Sequence, residues 1–517
     1  MRRSTLLLLS FALVAWVAQL VIFSGFVIDD SFISMRFAQH LAEGEGIVWN
    51  RGEAPVEGFT SFLWILVLAV PHVIATSLAE PLARVGGVLA VSGLALWLFR
   101  MLRARFGDFP AAFAIVPLLA GTPYVINSVS GMETGLAILL AGLGHPLACA
   151  GILEKDARRL GWYQLVALLA CMTRPDYALC YAATMVGGYA LAWRLPTRGE
   201  LGRVAGYFVL PGIIYFAWRW SYFGYFLPNP FYIKAGGSGS QSIVYVGTFL
   251  VLFAAPAVAT LLLGVRDRET RKLAALTLLS FSAPVGAYLF VTPMMGVYWR
   301  FLIPYYAVVP IGVAASIAVR SGWTLRVLVA AQVMLALSTL PLASEYAGRS
   351  GGFTNVLRDL GDAMARAHPE GEALVAMNDV GIVPYFGGWK VLDTLGLCDD
   401  PLAHDEMGQE ERISQLAPDV ILLHEPRATH EKYDMDALSV SYEEIGRIPY
   451  LRGTLHSDIV VWAQPQSPVA APLRAELSAT EFIPATLEPS PIQAVYEAIR
   501  TVYHGGSAKD APEAAAD

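Results

Sequence analysis

Long apolar runs separated by short polar connections fill the chain from residue 5 to residue 343, and beyond that the pattern breaks up. The runs cover 5–28, 61–79, 82–99, 110–128, 134–153, 160–173, 177–193, 204–222, 242–264, 273–292, 301–319 and 325–343. About 20 apolar residues span a bilayer, so this pattern predicts a bundle of membrane helices. The first run is too long for the core of a cleaved signal and has no small-x-small site before Asp29, which predicts a retained anchor. After 343, residues 355–367 read as an amphipathic helix, and 373–377, 390–393, 419–424 and 458–462 as strands, the last of the series. Strands interspersed with helices predict a small α/β domain. Proline and alanine become frequent from Glu476, and disorder is expected at 507–517. The expected division is a membrane domain over residues 1–343, an α/β domain over 344–475 and an extension over 476–517.

Composition agrees. Apolar residues make up 55% of the 517 and charged residues 15%, against about 25% in soluble domains. Mean hydropathy is +0.51. Up to Ala343 there are 24 Lys and Arg against 15 Asp and Glu, a net of +9; from Ser344 there are 12 against 28, a net of −16. The two portions therefore face different surroundings. An acidic soluble portion without a basic, aromatic stripe excludes a nucleic-acid partner. Cys149, Cys171, Cys180 and Cys398 make no disulfide framework, and no HExxH or cysteine-pair metal spacing occurs.

Charge also sets a topology. Arg2–Arg3 and five basic connections (100–105, 155–159, 194–203, 266–272, 320–326) hold 17 of those 24 positive charges, and the positive-inside rule puts them all in the cytoplasm. Arg3 and Arg100 share a side only if one of the first three runs fails to cross. Run 61–79, interrupted by Pro71-His72, is the expected exception: an outer juxtamembrane or re-entrant helix. Eleven crossings, a cytoplasmic N-terminus and an outer C-terminal domain follow. The outer connections are then 29–81, 129–133, 174–176, 223–241 and 293–300.

Those outer connections carry the chemistry. Asp29 and Asp30 leave the first helix together, and ionisable groups at that depth are costly and suggest function; the alternative is two interfacial aspartates marking a helix end. The run Asp29-Asp30-Ser31-Phe32-Ile33-Ser34-Met35-Arg36-Phe37, with Glu43-Gly44-Glu45-Gly46 and Val56-Glu57-Gly58-Phe59-Thr60 behind it, resembles the opening of the C-type polytopic glycosyltransferases, enzymes that use polyprenyl-phosphate sugars. Terminal arabinofuranosyltransferases of the actinobacterial cell wall are among the relatives it looks like. Gly131-Met132-Glu133-Thr134, Thr173-Arg174-Pro175-Asp176, Leu227-Pro228-Asn229-Pro230, Lys234, Trp299-Arg300-Phe301 and Asn378-Asp379-Val380-Gly381 extend the similarity over about residues 5–400.

The resemblance implies a polytopic membrane enzyme of the bacterial inner membrane. It would transfer a pentose such as arabinofuranose, or a hexose, to an envelope glycan or glycolipid acceptor, with inversion. It implies that an acidic residue at Asp29–Asp30 is the general base without deciding which, and that Glu133 is a second acidic group; a glutamate favoured by a helix N-terminus is the other reading. A base must take the acceptor proton, and the leaving phosphate must be held. Arginine suits phosphate, so Arg174, Arg219, Lys234 and Arg300 are phosphate candidates at headgroup depth, against interfacial snorkelling. Arg36, Glu57, Asp176 and Asn229 complete the expected substrate-binding set. Asp29, Asp30 and Glu133 could together hold a divalent cation (Mg, Mn or Ca) through hard oxygen ligands. The aromatic residues of 215–232 form an interfacial belt or a sugar-stacking wall. A lipid-linked sugar transporter would show internal repeats, and none is found. A non-catalytic assembly factor stays open.

Overall fold

A computed structural model describes residues 3–234, 239–291, 296–404, 406–426, 431, 433–452 and 455–482, apart from the side chains of Lys234, Leu342, Arg349, Leu451, Arg452, Leu455 and His456. The expected disorder at 507–517 lies outside the described residues, as do 235–238 and 293–295 of the expected outer connections.

Among the described residues, five helices are long and apolar enough to cross a membrane: α1 (Arg3–Ile22), Thr76–Phe106, Thr134–Leu153, Arg198–Phe223 and Gly239–Arg266. Two bent pairs, Asp108–Ala120 with Thr122–Val129 (52°) and Val297–Tyr306 with Pro310–Ala318 (60°), raise the number to seven at most. The eleven expected crossings are not reached on this basis. Ala157–Thr173, Tyr177–Leu191, Arg271–Ala287 and Gly322–Leu337 are 17, 15, 17 and 16 residues long, short of the roughly 20 a straight span needs. Helix α3 (Phe62–Ile74) has 13 residues with Pro71 inside and is too short to cross. The long helices turn Leu7, Leu13, Val14, Val21, Leu89, Ile213 and Ile214 outward. Such a surface is stable only against lipid. The protein is a polytopic helical membrane protein.

The bundle has two chemically distinct ends. At one, Arg105 pairs with Glu154 at 2.5 Å, Arg103 with Asp108 at 2.6 Å, and Arg194 donates to the Ile152 carbonyl at 3.1 Å. Basic connections distant in sequence thus gather at a single end. At the other, the N–H of Ile28 donates to the Ser130 carbonyl at 3.2 Å, and Arg174 reaches Glu133 at 3.2 Å. The bent pairs lead to this second end: Asn127 Nδ2 donates to the Tyr298 carbonyl at 3.1 Å.

Residues 374–463 form a five-stranded sheet of order β2-β1-β3-β5-β4, from β1 (Leu374–Met377), β2 (Lys390–Asp393), β3 (Val420–Glu425), β4 (Glu443–Arg452) and β5 (Leu455–Ala463). β1 runs parallel to β2 and β3, while β5 is antiparallel to β3 and β4. β1, β2, β3 and β5 fall where short apolar runs predict strands. β4 does not read as one from sequence because it carries Pro449. It is an edge strand, where the missing N–H breaks no interior ladder.

The amphipathic helix Leu340–Ala367 buries Val356, Leu357, Leu360 and Met364 against Val375, Val391, Val420 and Val461 of the sheet. That core does not stop at the sheet. It continues into Phe32, Met35 and Phe37 of α2 (Asp30–Ala42), into Trp49 and Phe59, and into Trp64 and Leu68 of α3. The first outer connection is therefore packed into the sheet-bearing unit, and the chain around Asp29 lies where unit and bundle meet.

Candidate active site

The turn that ends α1 and starts α2 is fixed locally. Ser31 Oγ donates to the Ile28 carbonyl at 2.7 Å, and at Gly131, with φ +79°, an added Cβ would lie 3.1 Å from Ser31 Oγ. Asp29 opens α2 without capping it. Its carboxylate points instead to the start of the helix Ile382–Gly387: Oδ2 accepts from the N–H of Gly381 at 3.0 Å and Oδ1 from that of Ile382 at 2.7 Å. Gly381 is obligatory here, since a Cβ would sit 2.0 Å from the Asp29 carbonyl oxygen. Burial first, then the nearby Asp379 and Asp30 charges, pushes the Asp29 carboxyl up to about 8, against the opposing pull of the two N–H groups.

Asp30 diverges from Asp29. Its Oδ2 accepts from Arg300 Nη2 at 3.2 Å. Arg300 is 4% exposed, and its Nε and Nη1 have no hydrogen-bond partner among the described residues. A buried guanidinium with idle donors is expensive unless an anion completes it. The segment presenting it holds Tyr298 at φ 44° and Trp299 at φ 54°, left-handed backbone that non-glycine residues adopt at a cost. Beside Arg300, the Phe301 ring is flanked by two guanidinium groups, Arg300 at 4.9 Å and Arg174 at 5.0 Å from its centroid.

Arg174 is neutralised internally. It binds Glu133 at 3.2 Å, Asp176 at 2.9 Å and the Tyr288 hydroxyl at 3.0 Å, and Tyr288 in turn donates to Asp176 at 2.6 Å. Only its Nε is without a partner among the described residues. Asp29, Asp30, Glu133, Arg174, Asp176 and Arg300 thus converge, and of the two arginines Arg300 is the one with donors to offer.

The other expected residues sit elsewhere. Glu57 and Arg219 form a buried pair at 2.5 and 2.8 Å, Arg219 also donates to the Phe226 carbonyl at 2.8 Å, and burial raises the Glu57 carboxyl above its ordinary value while Arg219 opposes that. The N–H of Asn229 donates to the Glu57 carbonyl at 3.1 Å and its Nδ2 to Asp400 at 2.8 Å. This set fastens the 225–230 connection to the sheet-bearing unit. Arg36 is buried under the Trp49 ring and donates to the carbonyls of Trp49 (3.0 Å), Pro384 (2.7 Å) and Trp389 (2.8 Å) and to Asn50 Oδ1 (3.3 Å). It clasps α2 to the sheet-bearing unit, with four of its five N–H donors taken up by these contacts. Lys234's side chain lies outside the described residues. Asp29, Asp30 and Glu133 are not assembled as a cation site: each has its own partner, and among the described residues no three His, Cys, Asp or Glu are grouped so as to hold a metal ion. The aromatics of 215–223 pack inward in part, Tyr215 and Trp218 against Phe62 at 4.9 and 5.2 Å.

Three participants carry little signal in the sequence. Phe301 and Tyr288 are aromatics in an aromatic-rich chain. His424 is the last residue but one of β3 and binds Asp379 at 2.9 Å and Glu431 at 2.7 Å. What could have marked it is a polar residue closing an apolar strand run, at the strand end where open α/β sheets bind ligands.

Residues 349–462 match a family described as Domain of unknown function (DUF8728). The chain is 32% identical over 248 residues to the terminal beta-(1->2)-arabinofuranosyltransferase of Mycobacterium tuberculosis, covering 43% of this chain and 37% of that protein. The matched stretch thus spans little more than a third of that relative. In structure the chain is similar to ArnT from Cupriavidus metallidurans. The apo form gives a TM-score of 0.57 and the form bound to undecaprenyl phosphate 0.58, each at 14% identity over 90% of this chain and 98% of ArnT. The chain therefore shares the fold of ArnT, and it is similar in sequence to a terminal arabinofuranosyltransferase over the stretch that matches.

Proposed function

We propose that the chain is a membrane glycosyltransferase moving a sugar from a polyprenyl-phosphate donor to an extracytoplasmic envelope glycan or glycolipid. The sugar is a pentose such as arabinofuranose, or a hexose. The observation that carries this reading is the Asp30–Arg300 pair, a buried guanidinium with idle donors beside a carboxylate doublet at one end of a membrane bundle. The ArnT complex with undecaprenyl phosphate supports the lipid phosphate, and the arabinofuranosyltransferase relative supports the pentose.

In the proposed reaction, Asp29 removes the proton of the acceptor hydroxyl as that oxygen bonds to the anomeric carbon. The bond from that carbon to the phosphate oxygen breaks, and its electron pair leaves with the polyprenyl phosphate. Attack opposite the leaving group inverts the anomeric centre. Arg300 holds the departing phosphate, with Asp30 keeping the guanidinium aimed. Glu133, Arg174, Asp176 and Tyr288 form the wall that receives sugar hydroxyls. Asp29 is favoured as base because its proton affinity lies near neutrality, which suits general-base work, and because Asp30 is tied to a cation. The membrane domain, residues 1–343, would carry the site. The unit over 344–475 would close it from outside the inner membrane, and the N-terminus would be cytoplasmic across eleven crossings.

The test uses the purified full chain with a short-chain polyprenyl-phosphoryl arabinofuranose and a synthetic arabinofuranoside. Product is expected from the natural chain and not from the D29N/D30N double variant. Wild-type turnover by a folded double variant overturns the reading and favours an assembly factor.

A further inference from the structure

The parallel strands β1 and β3 end side by side, and their ends face Asp29. The loop after β1 carries Asp379, and two residues on, the N–H groups of Gly381 and Ile382 hold the Asp29 carboxylate at 3.0 and 2.7 Å. From the end of β3, His424 Nε2 lies 2.9 Å from Asp379 Oδ2, and its Nδ1 lies 2.7 Å from Glu431 Oε1. Glu431 is 6% exposed and His424 7% exposed, so this imidazole is built into the unit rather than lying on its surface. The Tyr450 ring of β4 closes its remaining side at 5.6 Å. None of this is needed to hold the sheet, because β1 and β3 are already paired through Val375–Val420 and Ala376–Ile421.

We propose that His424 is a positioning residue for the base of the transfer reaction: by gripping Asp379 it fixes the turn whose N–H groups hold Asp29. The inference rests on the transfer reading above. An imidazole between two carboxylates favours its charged form. Burial pulls His424 down, but the hydrogen bonds its ring donates to Asp379 and Glu431 overcome this and push it up to about 9. The imidazolium holds Asp379 in place, and after burial itself Asp379 is the largest influence raising Asp29. His424 and Asp379 consequently act on Asp29 with opposite signs: the cation favours the Asp29 carboxylate, and the Asp379 anion opposes it. The titratable groups facing this chain of contacts among the described residues are Asp379, Glu431 and Tyr450 around His424, and Asp30, with Arg300 behind it, around Asp29.

The opposite signs provide a test that a merely structural role would not pass. The full-length protein in lipid nanodiscs is titrated by infrared spectroscopy, following the protonated-carboxyl band that D29N removes. H424Q should move the midpoint of that band up by about one pH unit, and D379N should move it down. In the transfer assay, kcat at neutral pH should fall about tenfold in H424Q with donor and acceptor KM nearly unchanged, and the acid limb of the kcat profile should follow the band. D379N is nearly isosteric and serves if H424Q does not fold. A midpoint that stays put in both variants, or moves the same way in both, overturns the proposal. The band is read whether or not the protein turns over, so wild-type turnover by a folded D29N/D30N double variant overturns the transfer reading, whereas wild-type turnover by D29N alone removes Asp29 as the base and overturns this proposal with transfer intact.

Discussion

The carboxylate of Asp29 accepts the backbone N–H of Ile382 at 2.7 Å across 353 positions of sequence. One end of the chain thus supplies a candidate base, and the unit near the other end supplies the groups that aim it. Because Asp30 turns away to Arg300, the two adjacent aspartates have different neighbours and should fail differently when changed.

Asp29→Asn keeps volume and hydrogen bonding but cannot accept a proton. It should lower kcat by about 10²–10⁴-fold. Asp30→Asn should instead raise the KM of the polyprenyl-phosphate donor, because Arg300 loses its anchor. Steady-state kinetics with the donor and acceptor varied separately distinguish the two; equal effects of both changes on kcat and KM would contradict the division of roles.

Arg300→Gln removes the charge that would hold the leaving phosphate. Charge-assisted hydrogen bonds contribute about 1.5–3 kcal/mol, so kcat/KM should fall about 10- to 100-fold or more. Arg300→Lys should recover only a fraction of this, lacking the planar fork. Arg174→Gln should behave otherwise: it leaves Glu133 and Asp176 without their cation, and lower thermal stability should accompany the lost activity.

The pH profile follows from Asp29. A base works ionised, so kcat should rise with pH, about tenfold per unit, until the neighbourhood of pH 8 and level off above it. Stability should move the opposite way. Asp29 and His424 both bind protons more tightly folded than unfolded, being raised from 3.8 to about 8 and from 6.5 to about 9. Their contribution is present at low pH and is lost as pH rises through those values. Melting curves from pH 6 to pH 9.5 should show a falling Tm, less steep in H424Q.

Arg36→Met should damage folding rather than chemistry. It strands buried acceptors, the Trp389 carbonyl among them, at about 1–3 kcal/mol for each acceptor left unsatisfied. Limited proteolysis should cut the variant between α2 and the sheet-bearing unit. A stable Arg36→Met protein with selectively weakened donor binding would return Arg36 to the substrate site.

For the topology, a reporter active only in the cytoplasm should work when fused after Arg105 or Arg159 and be silent after Gly371. Signal at Gly371 would place the sheet-bearing unit on the wrong side for an extracytoplasmic acceptor.

Whatever depends on local pattern is legible along the chain. Long apolar runs mark the membrane helices, short ones mark β1, β2, β3 and β5, and charge sorts the connections into basic and acid-bearing ends. Asp29 and Asp30 stand out because two carboxylates leaving a membrane helix have no local compensation. Whatever needs partners far apart in the chain emerges only on folding. Arg36, Arg174, Arg219 and Arg300 are the same residue type in similar settings. Packing alone shows that the first clasps two units, the second and third are neutralised by carboxylates, and the fourth keeps donors without a partner among the described residues. β4 is hidden because an edge position tolerates the proline that argues against a strand. Apolar runs outnumber the helices long enough for a straight span because hydropathy registers a run without registering where its helix bends or stops short. His424 is invisible because its role comes from Asp379 and Glu431 meeting it at a strand end, and no spacing along the chain encodes that meeting.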